Sequence, residues 1–297
     1  MTTQSASSFS VWLLAARPKT LWAAVAPVLM GTGMAFADHG FHPWAAVAAL
    51  FGAVMIQVGT NYANDYFDHI KGSDTSERLG PTRATASGLV TPSQMKRATI
   101  IVFVLAALAG AYLVWRGGWP ILVIGLVSTH LGVLYTGGPK PIGYVGLGDL
   151  FVLVFFGPVA VAGTYYVQTL TFSMSAVIAG LAPGLFSVAI LTVNNLRDVD
   201  NDARAGKRTL AVRFGKRFAR REYVCCLLLA AAVPVWLVFG DGGKLTALTA
   251  VAAVLLGVPA MLKVLNGHDG PALNMVLAKT GQLLLLYSLL FTIGWIL

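Results

Sequence analysis

Two short polar stretches of this chain combine carboxylates, amides and basic residues at a spacing suited to binding phosphate through a metal ion. The first spans residues 61–83 and holds four of the 12 acidic residues of the chain between positions 65 and 77. Asn61, Asp65 and Asp68 are spaced i, i+4 and i+7, which places them on one face of a helix. Carboxylates that lie this close repel each other unless a positive charge lies between them. Because Mg²⁺ prefers oxygen ligands and is commonly held by one or two carboxylates plus substrate phosphates, the stretch predicts a magnesium site.

The second stretch, residues 194–206, repeats the pattern after another long apolar run. Both stretches read N-x3-D-x2/3-D-x3-G, and basic residues follow each of them. The pattern comprises Asn61, Asp65, Asp68 and Gly72 in the first stretch and Asn194, Asp198, Asp202 and Gly206 in the second. A solvated charged loop between two helices would explain one such cluster. Two copies of a rare pattern instead favour one shared site.

Each polar side chain of the two stretches has an expected role in that site. Carboxylates are expected to hold the metal and to be catalytic, whereas amides and cations suit the oxygens of a phosphorylated substrate. The predicted metal ligands are Asp65, Asp68, Asp74, Asp198 and Asp202, of which Asp65, Asp68, Asp198 and Asp202 are also the expected catalytic residues. The predicted substrate-binding residues are Asn61, Asn64, Lys71, Arg83, Asn194 and Lys207.

The composition indicates a helical membrane protein. Of the 297 residues, 57% are hydrophobic and 11% charged, and the mean hydropathy is +0.73. A chain this apolar is typical of helices in contact with a lipid bilayer. We therefore predict an all-α bundle of nine transmembrane helices, forming a single integral-membrane domain over residues 1–297. The predicted spans are 20–37, 44–66, 97–115, 119–135, 147–167, 174–196, 222–239, 245–265 and 279–297.

The basic residues are distributed unevenly between the two sides of the predicted bundle. Nineteen of the 21 Lys and Arg residues fall on one side, and only Arg116 and Lys244 fall on the other. Positive loops mark the cytoplasmic side of a membrane protein, which explains the net charge of +9 without invoking nucleic acid. The pattern predicts an inner-membrane protein with a cytoplasmic N-terminus, an external C-terminus and both polar stretches facing the cytoplasm.

A metal–phosphate site at the end of an apolar bundle indicates a substrate with a diphosphate head and a long hydrocarbon tail. A polyprenyl diphosphate has both features, and metal ions neutralise charge on a leaving diphosphate. The allylic cation so formed needs a dry pocket with electron-rich walls. Candidate aromatic residues for these walls are Tyr62, Tyr66, Tyr135, Phe151, Phe155 and Phe156.

The motifs resemble those of the UbiA superfamily of intramembrane aromatic prenyltransferases. The resemblance covers residues 15–215 and rests on N61-x-x-N64-D65-x-x-D68-x5-D74 and D198-x-x-x-D202. Within that superfamily, KGSDTSERLGPTR, YTGGPKPIGYVGLGDLFVLVFFG and NNLRDVDNDARAGKRTLAVRFG are similar to the branch of menaquinone biosynthesis. The resemblance implies a helical bundle whose active site opens to the cytoplasm, and Mg²⁺ as cofactor. It also implies transfer of a polyprenyl chain to 1,4-dihydroxy-2-naphthoate with loss of CO₂.

Other acceptors and another protein class remain as alternatives. The aspartate motifs alone do not separate a naphthoate from 4-hydroxybenzoate, a chlorophyllide-like ring or haem. A cation transporter would place its ionisable residues near the middle of the membrane, whereas these lie at the ends of spans. Lys140, as a catalytic residue, and Tyr144 and Asp149, as binding residues, are the candidates for contact with the acceptor.

Overall fold

The computed structural model of the protein describes residues 8–72 and 79–297, which fold into α-helices and short 3₁₀ turns without any strand. The helices are α1 (Ser8–Ala16), α2 (Trp22–Ala37), α3 (Pro43–Ile70), α4 (Pro92–Gly117), α5 (Trp119–Leu134), α6 (Gly148–Phe155), α7 (Pro158–Thr169), α8 (Met174–Arg204), α9 (Leu210–Gly240), α10 (Val251–Leu255), α11 (Val258–Leu265) and α12 (Leu273–Ile296). The 3₁₀ turns are Pro18–Thr20, Ile142–Tyr144, Leu245–Ala250 and Gly270–Ala272. The all-α class is confirmed.

The number of membrane spans differs from the prediction. Within the described ranges, six helical segments are long and apolar enough to cross a membrane, or up to eight if each bent pair counts as one span. The predicted segment 119–135 forms α5, which has only 16 residues, and 245–265 is divided between a 3₁₀ turn, α10 and α11. These short and broken helices are the reason that the count of nine is not confirmed. The chain is nevertheless an integral membrane protein.

Helix α8 lies at the centre of the bundle and carries the second polar stretch at its end. It packs against α9, α12, α7, α6 and α2, whereas α3 pairs mainly with α4. Phe186 and Leu196 on α8 are fully buried, so the helix is enclosed along much of its length. Both polar stretches begin in the C-terminal ends of long helices, α3 and α8, and we call this end of the molecule the motif end.

Glycines allow the close helix contacts that hold this arrangement together. A Cβ atom on Gly31 of α2 would lie 2.4 Å from the carbonyl oxygen of Val161, and one on Gly33 would lie 2.4 Å from Cγ2 of Thr292. These short distances show that α2 packs on α7 and α12 through small residues, as membrane helices commonly do. Gly31 and Gly33 therefore serve helix packing.

Close contacts through glycine also hold the connection between α6 and α7 against α8. A Cβ atom on Gly157 would lie 2.6 Å from the carbonyl oxygen of Gly180, and one on Gly184 would lie 2.5 Å from that of Leu153. The backbones of α6 and α8 can approach this closely only because both positions are glycine. The contact sets how deeply the start of α6 lies in the bundle.

Candidate active site

Asp65 binds the backbone of the segment that carries Arg83. Its two carboxylate oxygens accept hydrogen bonds of 3.0 Å from the backbone N–H groups of Ala84 and Thr85. The side chain is only 1% exposed. A buried carboxylate that accepts two backbone amides is firmly held, and it holds those amides in turn. Asp65 therefore fixes the segment around residue 84 against α3.

Asp68 lies less than one turn further along α3 and receives three polar groups from elsewhere in the chain. Arg83 Nη2 donates to its Oδ2 at 2.7 Å, and the Tyr144 hydroxyl group donates to its Oδ1 at 2.9 Å. The ammonium group of Lys207 lies 3.7 Å from the same Oδ1. Because Asp68 is 3% exposed, these charge-assisted contacts are shielded from water and correspondingly strong.

The second polar stretch is organised around the buried guanidinium group of Arg197. Its Nε and Nη2 bind both oxygens of Asp198 at 2.8 and 2.5 Å, and Nη2 also donates to Asn194 Oδ1 at 2.7 Å. The remaining nitrogen, Nη1, donates to Asn274 Oδ1 at 2.8 Å. Asn274 belongs to α12, so Arg197 joins the end of α8 to the start of another helix.

Lys207 brings the two stretches together. Its ammonium group lies 3.5 Å from Asp202 Oδ1 on α8 and 3.7 Å from Asp68 Oδ1 on α3. The backbone N–H of Lys207 also donates to the carbonyl oxygen of Asp202 at 2.8 Å. The two motif-bearing helices therefore end on the same side of the bundle, as the prediction that both polar stretches face one side requires.

The ring of Tyr144 contacts two lysines. The ammonium groups of Lys71 and Lys207 are 5.1 and 4.8 Å from the centre of its ring, within cation–π range. Burial lowers the pKa of Lys71, an effect that the charge of Asp68 opposes and that of Lys207 reinforces. Two cations held this close attract an anion that carries more than one charge, such as a diphosphate.

The other predicted site residues have varied surroundings. Asn61 donates to the carbonyl oxygen of Ala16 at 2.9 Å and so ties α3 to the N-terminal segment. Asn64 accepts a hydrogen bond from Thr136. The side chain of Lys140 is exposed and has no hydrogen bond or ion pair with residues 8–72 or 79–297.

One predicted position makes none of these contacts, and another lies outside the described residues. Asp149 is buried at the start of α6. Asp74 lies outside the described residues, so its role as a metal ligand stays a prediction.

Sequence reasoning missed three polar residues that hold the site. The charge pattern marks Arg197 only as a positive loop residue, and neither motif includes Thr136 or Asn274. A basic residue beside an aspartate at the end of an apolar run was the available signal for Arg197. The partners of the other two are distant in the chain, so no local pattern pointed to them.

The donor groups at the motif end fit a divalent cation. Over residues 8–72 and 79–297, no three His, Cys, Asp or Glu side chains converge on one point. Asp68 and Asp202 do, however, face each other across the ammonium group of Lys207. Carboxylate oxygens from two helices on either side of a positive charge are the donors that a hard divalent ion prefers.

Fold and site together define a polytopic helical membrane protein with an acidic and basic centre, formed by buried carboxylates and cations, at one end. Residues 24–289 match the UbiA prenyltransferase family, and the chain belongs to this family. It is 40% identical to the 1,4-dihydroxy-2-naphthoate octaprenyltransferase of Escherichia coli, over 99% of this chain and 97% of that protein. It is 41% identical to the protein of the same name from Mycobacterium tuberculosis, over 95% and 96% of the two chains.

Solved structures agree with this assignment at the level of the fold. A UbiA homologue from Archaeoglobus fulgidus, determined with GPP and Mg²⁺, superimposes with a TM-score of 0.71 over 96% of this chain and 99% of the other. The two sequences are 13% identical, so the similarity establishes a common helical architecture.

Proposed function

We propose that this protein transfers a polyprenyl chain from polyprenyl diphosphate to 1,4-dihydroxy-2-naphthoate, with release of diphosphate and CO₂, in menaquinone biosynthesis. The identity of about 40% over nearly the whole chain to enzymes named for this acceptor carries the proposal. The two aspartate stretches, joined through Lys207 at the end of an apolar bundle, support it chemically.

The motif end has the groups needed to bind the diphosphate of the donor. Lys71, Lys207 and Arg83 supply positive charge, and the ammonium groups of the two lysines lie within cation–π range of the Tyr144 ring. Mg²⁺ is the proposed cofactor, and when bound it neutralises charge on the departing diphosphate. Its proposed ligands are Asp65, Asp68, Asp74, Asp198 and Asp202. Of these, Asp68 and Asp202 lie on either side of the ammonium group of Lys207.

The acceptor reacts through one of its ring carbons. Ionisation of the donor gives an allylic cation, which the electron-rich diol ring attacks at the carbon that bears the carboxylate. The carbon–carbon bond forms there, the ring temporarily loses aromaticity, and breaking the bond to the carboxylate releases CO₂ and restores it. The overall reaction needs no external base or oxidant, because diphosphate and CO₂ are its two leaving groups.

Purified protein is expected to form one prenylated product for each CO₂ released from carboxyl-labelled 1,4-dihydroxy-2-naphthoate, in a reaction that requires Mg²⁺. The stoichiometry follows because the bond that forms and the bond that breaks share one ring carbon. Product mass and trapped label are the two measurements. Parallel reactions with 4-hydroxybenzoate are the control, and transfer to this ring but not to the naphthoate would assign a different acceptor.

We also propose that the motif end faces the cytoplasm and that the C-terminus lies outside, because positive residues concentrate at the motif end. In intact cells, Ala205→Cys at the motif end is expected to resist a membrane-impermeant thiol reagent, whereas Thr171→Cys at the other end should react. Both positions are exposed. Labelling of the unsubstituted chain measures the background from Cys225 and Cys226. Strong labelling of Ala205→Cys alone would reverse the orientation.

A further inference from the structure

The carboxylate of Asp149 is a buried polar group that lacks part of its expected bonding. The side chain is 9% exposed, and within residues 8–72 and 79–297 no group donates a hydrogen bond to its buried Oδ1. Leaving a buried carboxylate oxygen unpaired is costly, so nearly all such atoms in folded proteins have a partner. An unpaired oxygen inside a binding protein therefore indicates that a ligand supplies the missing donor.

The position of Asp149 is set by close packing between α6 and α8. A Cβ atom on the preceding Gly148 would lie 3.5 Å from Cδ2 of Leu191 on α8. Leu191 precedes Asp198 by seven residues, or about 10 Å along a helix axis. Gly148 therefore packs on α8 about two helical turns before Asp198, which places Asp149 toward the interior of the bundle from the acidic and basic centre.

Tyr135 lies between Asp149 and the acidic and basic centre. Its hydroxyl oxygen would lie 3.1 Å from a Cβ atom on Gly148, and it has no hydrogen-bond partner in the described parts of the chain. The carboxylates of Asp149, Asp202 and Asp68 are electrostatic neighbours of Tyr135. The hydroxyl group of Tyr135 therefore lies beside Gly148, the residue that precedes Asp149.

On the basis of the function proposed above, we propose that Asp149 is the proton acceptor for the ring of the acceptor. Asp149 takes the proton of the ring hydroxyl group next to the carboxylate while the ring carbon attacks the allylic cation. The oxygen becomes a ketone, and the carboxylate is then a β-keto carboxylate, which expels CO₂ readily. The electron pair of the broken bond returns to the oxygen, and Asp149 gives its proton back.

The proton balance explains why a secluded carboxylate is suitable. One carbon–oxygen bond breaks in the donor, one carbon–carbon bond forms, and one carbon–carbon bond breaks to release CO₂. No proton is gained or lost overall, so the proton that Asp149 takes must be returned within the same turnover. A base enclosed in the bundle keeps that proton near the ring, whereas an exposed residue such as Lys140 would exchange it with solvent.

Other titratable groups facing Asp149 must be considered in any pH experiment. They are Tyr135, at the end of α5, and Glu222 and Cys226 on α9, all of which are electrostatic neighbours of its carboxylate. Of these groups, Asp149 is buried and has a carboxylate oxygen that accepts no hydrogen bond from the described part of the chain.

Asp149→Asn is expected to lower kcat for naphthoate prenylation by about 100-fold, a typical effect of losing a general base, and to leave the KM of the donor unchanged. The amide cannot take a proton, so the variant should depend on acceptor molecules that ionise in solution. Its kcat/KM for the acceptor should then rise about tenfold per pH unit between about pH 6 and 8, where the unsubstituted enzyme has a flatter profile. Asp149→Glu should recover part of kcat.

Asp200→Asn is the matched control, because Asp200 is exposed and pairs only with Lys216 in the described chain. A kcat within threefold of the unsubstituted enzyme in Asp149→Asn would overturn the proposal. So would an equal loss at every pH with a raised donor KM, which indicates a structural role. If the unsubstituted enzyme itself fails to prenylate the naphthoate, the proposed function fails; if it succeeds and Asp149→Asn behaves like the control, only the role of Asp149 is lost.

Discussion

Replacement of Asp68 by alanine is expected to reduce kcat/KM for prenyl transfer by about 10²- to 10³-fold, the range found when one preorganised charged contact is removed from an active site. Asp68 accepts hydrogen bonds from Arg83 and Tyr144 and lies beside Lys207. Without it, the three groups at the proposed diphosphate end of the site lose their common partner. The measurement is consumption of polyprenyl diphosphate and formation of prenylated product by purified protein over a range of Mg²⁺ concentrations.

The Asp68→Asn variant tests the contribution of the negative charge while keeping the shape of the side chain nearly unchanged. Asp68→Asn keeps an oxygen ligand but loses the negative charge, so its activity should be low at low Mg²⁺ and recover partly at high Mg²⁺. Asp202→Asn is expected to behave in the same way because it lies on the other side of Lys207. Asp200→Asn, on the same helix but exposed, should match the unsubstituted enzyme. Near-normal activity of Asp68→Ala and Asp202→Ala would refute the site as described.

Replacement of Arg197 by methionine is expected to destabilise the folded protein by about 3–5 kcal/mol, the cost of leaving one partner of a buried ion pair without the other. The guanidinium group binds Asp198 through two nitrogens and also holds Asn194 and Asn274. Arg197→Lys keeps the charge but cannot form this fork, so it should recover only part of the loss. Thermal unfolding in detergent is the measurement.

A second substitution should compensate for the first. Asp198→Asn combined with Arg197→Met removes both charges and is expected to be more stable than Arg197→Met alone, although inactive if Asp198 binds the metal. The control is Arg217→Met, because Arg217 is exposed on α9 and makes no hydrogen bond or ion pair with residues 8–72 and 79–297. Equal stability of Arg197→Met and Arg217→Met would show that the buried cluster contributes nothing.

Much of the fold could be predicted because hydrophobicity and helix ends are local properties of the chain. The segment 174–196 lies within α8, and 97–115 lies within α4. Prediction was weaker where helices break. The segment 147–167 divides at Gly157, whose backbone packs against Gly180 of α8. Such a break depends on a contact with another helix, which no window along the chain reveals.

The candidate site was predicted in composition but not in detail. The spacing of Asn61, Asp65 and Asp68 did place three polar groups on one helix, yet they have different partners. Asn61 binds the N-terminal segment, and Asp65 binds the backbone at Ala84 and Thr85. Asp68 alone of the three contacts Lys207. A shared helical face does not determine which neighbour each residue meets, because this depends on how the helix is rotated in the bundle.

The sequence by itself determined that this chain is a helical membrane protein with two acidic stretches at the same end of its helices. The lengths of the apolar runs, the distribution of basic residues and the spacing of the motifs are all properties of the sequence, so they are predicted without knowledge of helix packing. The tertiary structure decided the pairings across long separations, such as Tyr144 with Asp68 over 76 positions and Arg197 with Asn274 over 77. These pairings depend on the depth and rotation of each helix, which the close glycine contacts between helices set.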